Sequence, residues 1–124
     1  ATTEIYTLSL HDALPILTYI QCIARFRLSS HNLNIELGRH TKPVTPVASR
    51  YCMRCDMGVD DEPHFLLQCP VFSRERAELF RKIQWCLPDL SNHNINDRFI
   101  AIMSSRIPDV IFQLGKFLHK CLPK

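Results

Sequence analysis

Tyr51–Pro70 reads YCMRCDMGVDDEPHFLLQCP, and four of its side chains decide how the rest of the chain is read. Cys52, Cys55, His64 and Cys69 follow the spacing C-x2-C-x8-H-x4-C. Two cysteines separated by two residues turn both thiolates toward one point in a tight knuckle. Gly58 supplies the positive φ such a turn often needs. Three thiolates and one imidazole satisfy the tetrahedral preference of Zn2+. A closed set of four leaves no position for water, so the spacing predicts one structural zinc ion rather than a catalytic one. The competing reading takes these as unrelated residues of a Cys-rich chain.

The second half of this stretch has a local logic. Asp61, Glu62 and Pro63 resemble a helix start, with acids near the positive end of the dipole. A short helical turn is expected over His64–Gln68. Residues five apart on a continuous α-helix lie ~140° apart, so His64 and Cys69 cannot both face one ion from it. Pro70 disfavours the α region for Cys69 and breaks the turn there. Cys69 then begins the next helix, where a thiolate is stabilised. The metal would clamp the knuckle to that helix.

Downstream, the pattern predicts an amphipathic helix over Val71–Leu87. Its inner face would carry Phe72, Leu79, Phe80, Ile83 and Cys86, and Pro88 would end it. Asp89–Asn94 reads as a polar linker. A helix is expected over Ile95–Ser104 with Phe99, Ile100 and Met103 inward. Pro108 and Asp109 suit the first turn of a last helix, with Ile111, Leu114, Leu118 and Cys121 on its apolar face. Upstream, Leu17, Ile20, Ala24 and Leu28 are spaced as in a helix over Leu17–Ser29. Leu33, Ile35 and Leu37 alternate with polar residues, which suits a short strand or extended segment ending at Gly38. Thr41–Ala48 carries Pro43 and Pro46 and reads as an extended loop. The expected fold is mostly α: a small helical domain with one CCHC zinc knuckle and short irregular or β-like segments around the metal.

The 124 residues suit one domain, and 46% hydrophobic with 22% charged residues allow a packed core. No apolar run approaches the ~18–20 residues of a membrane span. A polymerase, nuclease or kinase domain does not fit this length. No secretory leader pattern is present, since no Lys or Arg precedes Arg25, so the thiols are expected to be reduced. Cys22, Cys86 and Cys121 lie on apolar helical faces and read as packed free thiols. His31 and His40 have no Cys at ligand spacing, and His93 and His119 read as surface or helix-edge residues.

Ala1–Ile16 reads ATTEIYTLSLHDALPI, which matches the in-frame translation of a universal short-read sequencing adaptor residue for residue. Residues 1–16 are therefore expected to be a non-native leader, against the alternative of a strand over Glu4–Leu10. All 15 Lys and Arg follow residue 16, whereas Glu4 and Asp12 of the 12 acids precede it. The remaining chain thus has 15 basic and 10 acidic residues, a net charge of +5.

That charge is uneven. Arg25, Arg27, Arg39, Lys42, Arg50 and Arg54 have only Glu36 among them as an acid, with Phe26, His31, His40 and Tyr51 interleaved. Such a segment can neutralise phosphates and stack bases; ordinary charge scatter on a solvated surface is the alternative. Asp56, Asp60, Asp61 and Glu62 carry no base among them and are expected to point away from nucleic acid.

Several runs together resemble LINE-type (non-LTR) retrotransposon open reading frames. They are Arg25–His40 (RFRLSSHNLNIELGRH), Tyr51–Cys55 (YCMRC) and Glu62–Pro70 (EPHFLLQCP) with Arg76 downstream. Arg98–Met103 and Leu114–Cys121 resemble the tail of such polyproteins. The resemblance covers nearly all of residues 20–122. It implies a segment C-terminal to a reverse transcriptase domain, with a CCHC knuckle formed by Cys52, Cys55, His64 and Cys69. It also implies handling of RNA or DNA during target-primed reverse transcription. The chain lacks the polymerase and nuclease domains of such a polyprotein, whose parent would be an RNA-directed DNA polymerase.

The sequence therefore predicts a non-enzymatic, zinc-stabilised module binding RNA or single-stranded DNA, the C-terminal fragment of a retrotransposon reverse transcriptase. The expected order is a leader at 1–16, a helix and basic segment at 17–50, the knuckle at 51–70 and helices at 71–124. The alternatives are a zinc-stapled interaction module docking on the polymerase domain of the same polyprotein, or a decayed copy without function. No membrane and no small-molecule substrate are expected. The location would be intracellular, in nucleus or cytoplasm as a ribonucleoprotein. Convergence of Arg25, Arg39, Arg50 and Arg54 on one face would favour nucleic acid, and an exposed apolar patch would favour docking.

Overall fold

The computed structural model describes residues 10–123, with side chains described from Ile16. The described residues are mostly helical and form no strand; a single antiparallel bridge joins Tyr51 to Val59. Five α-helical elements follow in order: α1 (Leu10–Arg27), the single turn α2 (Asn34–Leu37), α3 (Ser73–Ile83), α4 (Ile95–Ser104) and α5 (Pro108–Cys121). No helix among the described residues is long and apolar enough to cross a membrane.

α1 begins at Leu10, seven residues before the boundary expected at Leu17, and the first nine residues of the leader lie outside the described residues. Its inner face is Ile23 and Phe26, both buried, whereas Leu17, Ile20 and Leu28 are exposed. α1 shares its most extensive contact with α5, and α3 also packs on α5. The close approach of α1 to α5 rests on Gly115. A Cβ there would stand 2.4 Å from Tyr19 Cβ and 2.9 Å from Tyr19 O. Gly115→Ala is expected to force the helices apart and cost roughly 1–3 kcal/mol, the usual range for overpacking, despite the better helix propensity of Ala. A thermal unfolding scan measures it, and an unchanged melting temperature would show that α1 yields without cost.

Several expectations change in detail. The segment expected as a strand around Leu33–Leu37 is a helical turn, because Asp60 Oδ2 accepts from Asn34 N at 2.9 Å and Asp60 O accepts from Ile35 N at 3.0 Å. That partner is distant in sequence, so local alternation could not reveal it. The helix expected over Val71–Leu87 is shorter. A 3-10 turn over Pro70–Phe72 leads into α3, and turn bonds continue to Leu87 after Ile83. α4 occupies the expected Ile95–Ser104, capped by Asn94, whose side chain accepts from Asp97 N at 2.8 Å. Ile100 points outward at 60% exposure and Ile102 is the buried residue instead.

The core gathers Ile23, Phe26, Leu33, Phe65, Leu66, Leu79, Ile83, Ile102, Val110, Leu114, Phe117 and Leu118. Val110 and Phe117 join Leu114 and Leu118 on the α5 face, while Ile111 and Cys121 sit at its margin. Phe65 lies between the ring systems of Phe26, Phe72 and Phe117 at centroid distances of 5.2–6.0 Å. The knuckle is thus tied to the helices by the residue that follows His64. Cys22 and Cys86 pack as partly buried thiols against this core, as expected.

Candidate metal centre

The knuckle forms from backbone hydrogen bonds between residues that the sequence places close together. Cys52 N donates to Gly58 O at 2.8 Å, Asp56 N to Cys52 O at 2.9 Å, and Asp60 N to Arg50 O at 2.8 Å. Closing so tight a turn requires two residues at positive φ. Gly58 takes φ 150° as expected, and Asp56 takes φ 59°, a left-handed conformation that Asp tolerates better than most side chains.

The second pair of side chains is brought in by a π-helical turn. His64–Gln68 closes with Cys69 N donating to His64 O at 2.8 Å, an i→i+5 bond. On a continuous α-helix His64 and Cys69 would face apart, and Pro70 is expected to break the turn at Cys69. The wider π turn instead carries residue 69 round toward the same side as residue 64. Cys69 then turns to φ −62°, ψ 116°, the extended conformation that Pro70 imposes. Asp61 Oδ1 accepts from His64 N at 2.8 Å and fixes the start of the turn.

The ligand atoms of Cys52, Cys55, His64 and Cys69 all lie within 4.8 Å of one another. Cys55 Sγ stands 3.3 Å from His64 Nε2, and Cys52 Sγ stands 3.8 Å from Cys69 Sγ. Tetrahedral Zn2+ with bonds of ~2.3 Å to sulfur and ~2.0–2.1 Å to nitrogen separates its ligand atoms by roughly 3.5–3.8 Å. The cluster therefore has the dimensions of a metal site. All six cysteines are free thiols, so the Cys52–Cys69 proximity is not a disulfide.

Electrostatics divide the thiols. Burial pushes the Cys52 thiol up to about 11. Burial also opposes ionisation of Cys69, but the Val71 N–H, the Arg54 guanidinium and the Cys52 and Cys55 thiols outweigh it and hold Cys69 below the usual thiol range. The Val71 contribution is the expected effect of a helix-like N-terminus. Burial likewise lowers the His64 imidazole, favouring the neutral form that binds metals.

The basic residues expected at a nucleic-acid surface separate into two groups. Arg50 is buried and lies across Gly38, donating from Nε to Thr45 O at 2.9 Å and from Nη1 to Ile35 O at 2.8 Å. A Cβ at Gly38 would stand 2.6 Å from the Arg50 side chain, so this approach requires glycine. Arg54 pairs with buried Asp60 at 2.7 Å and lies 5.7 Å and 5.2 Å from the ring centroids of Phe65 and Phe72. Arg50 is therefore held inside the fold, which corrects its placement on a phosphate-facing surface, and Arg54 is half-buried with its guanidinium engaged by Asp60. Arg27 is exposed but donates to Met103 O. Arg25, Arg39 and Lys42 are exposed, with Arg39 3.4 Å from Glu36.

Three acids of the knuckle have partners within the fold. Asp60 serves Arg54 and Asn34, Asp61 serves His64, and Glu62 accepts from Ser29 Oγ at 3.2 Å and contacts His31 Nε2 at 3.0 Å. They anchor the knuckle to its neighbours. His31, with its side chain fully buried, is a bracket between α1 and the knuckle. Arg76 was legible only as a position downstream of Cys69. It is buried and donates to Leu66 O and Cys69 O at 2.8 Å and to Phe65 O at 3.2 Å.

A cleft of about 840 Å3 opens between the C-terminal parts of α1 and α5 and the Ser29–His40 segment. Arg25, His40 and His119 line it together with Leu28 and Leu37. A shallow groove of about 280 Å3 beside the knuckle is lined by Leu37, Tyr51 and Met53. No protein-family model, no curated protein and no solved structure matches the chain.

Proposed function

We propose that this chain is a zinc-stabilised nucleic-acid-binding module, the C-terminal fragment of a retrotransposon reverse transcriptase, which binds RNA or single-stranded DNA. The observation that carries the reading is the four-ligand cluster of Cys52, Cys55, His64 and Cys69. Its soft donor set suits Zn2+, and four protein ligands make the ion a staple rather than a catalyst. The staple holds together a knuckle that has no sheet and little core of its own. Nucleic acid would lie along the cleft bearing Arg25 and His40, with Arg39 and Lys42 exposed on either side of His40 in sequence.

The salt dependence of binding tests this. Each phosphate contact on a single strand adds ~0.7 to the slope of log affinity against log salt. Arg25, Arg39 and Lys42 together predict a slope of roughly −2 on that rule. Their joint replacement by Ala should bring the slope close to zero and weaken binding to U-rich and mixed-sequence oligonucleotides alike. Fluorescence anisotropy with labelled RNA and DNA strands measures both. Binding that is absent at low salt, or unaltered in the triple variant, would turn the assignment to protein docking.

That second reading has observations of its own. Arg50 and Arg54, two of the four arginines whose convergence would favour nucleic acid, are spent within the fold. Leu37, Tyr51 and Met53 are exposed around one groove next to the knuckle. A zinc-stapled interaction module would set this groove against the polymerase domain of its own polyprotein.

A further inference from the structure

Arg54 lies between the two cysteines of the knuckle and is surrounded in a way that no surface role explains. Its Nη2 donates to Asp60 Oδ1 at 2.7 Å, and the Asp60 side chain is 3% exposed. Asp60 is itself fixed by Asn34 N on its other oxygen. The guanidinium carbon lies over the rings of Phe65 and Phe72, 5.7 and 5.2 Å from their centroids, with the side chain half-buried. Its sequence position between Cys52 and Cys55 sets it beside the cluster, where its charge favours the Cys69 thiolate. Arg54 Nε is buried, and it is the only buried side-chain polar atom among the described residues without a hydrogen-bond partner. An orphaned buried N–H of a charged group costs free energy unless an acceptor appears. The thiolate that a metal demands of Cys69 is such an acceptor.

Charge points the same way. Two positive charges on Zn2+ against three thiolates leave one net negative charge, here in a buried place where an uncompensated charge is costly. Arg54 is a cation beside the cluster, and its bond to Asp60 restrains it there.

We propose that Arg54 is a positioning residue of the metal centre: anchored by Asp60 and clasped by Phe65 and Phe72, it donates a charge-assisted N–H···S bond to the metal-bound Cys69 thiolate. This rests on the reading of the cluster as a zinc site. Removal of such outer partners commonly lowers metal affinity 10–100-fold.

The test uses the full chain loaded with Zn2+ or Co2+. Arg54→Met keeps the packing stem and removes charge and donors. It should lower zinc affinity at least tenfold in chelator competition and shift the sulfur-to-cobalt charge-transfer band, because the thiolate loses a donor that withdraws its electron density. Arg54→Lys keeps the charge without the fork and should recover part of the affinity. Asp60→Asn should produce a smaller change of the same sign. A purely structural side chain would alter the melting temperature but not the band of the folded cobalt form. Arg54→Met with wild-type affinity and an unshifted band overturns the proposal. If Arg54→Met does not fold, Arg54→Lys decides by the same two readouts. A wild-type chain that binds neither metal overturns the zinc reading itself, and the proposal with it.

Discussion

Removing the metal with a strong chelator is expected to unfold the knuckle and loosen the start of α3. Structural zinc contributes ~10–16 kcal/mol of apparent binding free energy, against a net stability of ~5–15 kcal/mol for a typical domain. The structure explains why the loss cannot stay local. Cys52, Cys69 and His64 are buried, and Phe65 and Leu66, the next two residues after His64, belong to the core. Without an ion, three sulfurs and an imidazole converge with nothing to hold them, and the π turn loses the reason for its shape. Cys55→Ser and His64→Ala should act like the chelator. Acid should act in the same direction. His64 is held below the ordinary histidine value of ~6.5 by burial, so folding favours its neutral form, and protonation of the unfolded chain below that pH opposes both folding and coordination. Circular dichroism with and without chelator, at neutral and mildly acidic pH, measures this. Equal melting temperatures in both states would remove the metal from any account of the fold.

Arg76→Met is expected to be the most destabilising change outside the ligand set. The Arg76 fork binds the carbonyls of Phe65, Leu66 and Cys69, where the π turn ends against Pro70. Pro70 has no N–H to offer, so the turn cannot be continued by backbone bonds there. Hydrogen bonds to a charged donor are worth ~1.5–3 kcal/mol each, although shared ones do not add fully. Burial opposes this by lowering the Arg76 pKa, so the guanidinium is held at a desolvation cost that its three bonds offset. A loss of about 3 kcal/mol would lower the melting temperature by roughly 10–15 °C for a domain of this size. Arg76→Lys should recover little, because an ammonium cannot span the fork. A shift of only one or two degrees in Arg76→Met would show that water replaces the guanidinium freely.

The Cys/His cluster was legible because its pattern is local: its spacing and turn glycine lie within one short stretch of chain. Helices α4 and α5 were legible for a similar reason, since their start signals and apolar periodicity are contained in single segments. The reverse holds for the charged residues. Arg50, Arg54 and Arg76 have no hydrophobic pattern to mark them as interior, and their partners are carbonyls and a carboxylate supplied by other segments. Charge alone made Arg50 and Arg54 look like surface.

By itself, the sequence determined the helical class, the four converging Cys and His side chains and the break imposed by Pro70, all consequences of side-chain chemistry within a few residues. Only the tertiary structure decided the turn of chain at Asn34–Leu37, the π geometry of His64–Gln68 and the burial of Arg50 and Arg76. Each depends on a polar group buried by packing, and a buried polar group takes whichever partner the fold brings to it rather than the one nearest in sequence.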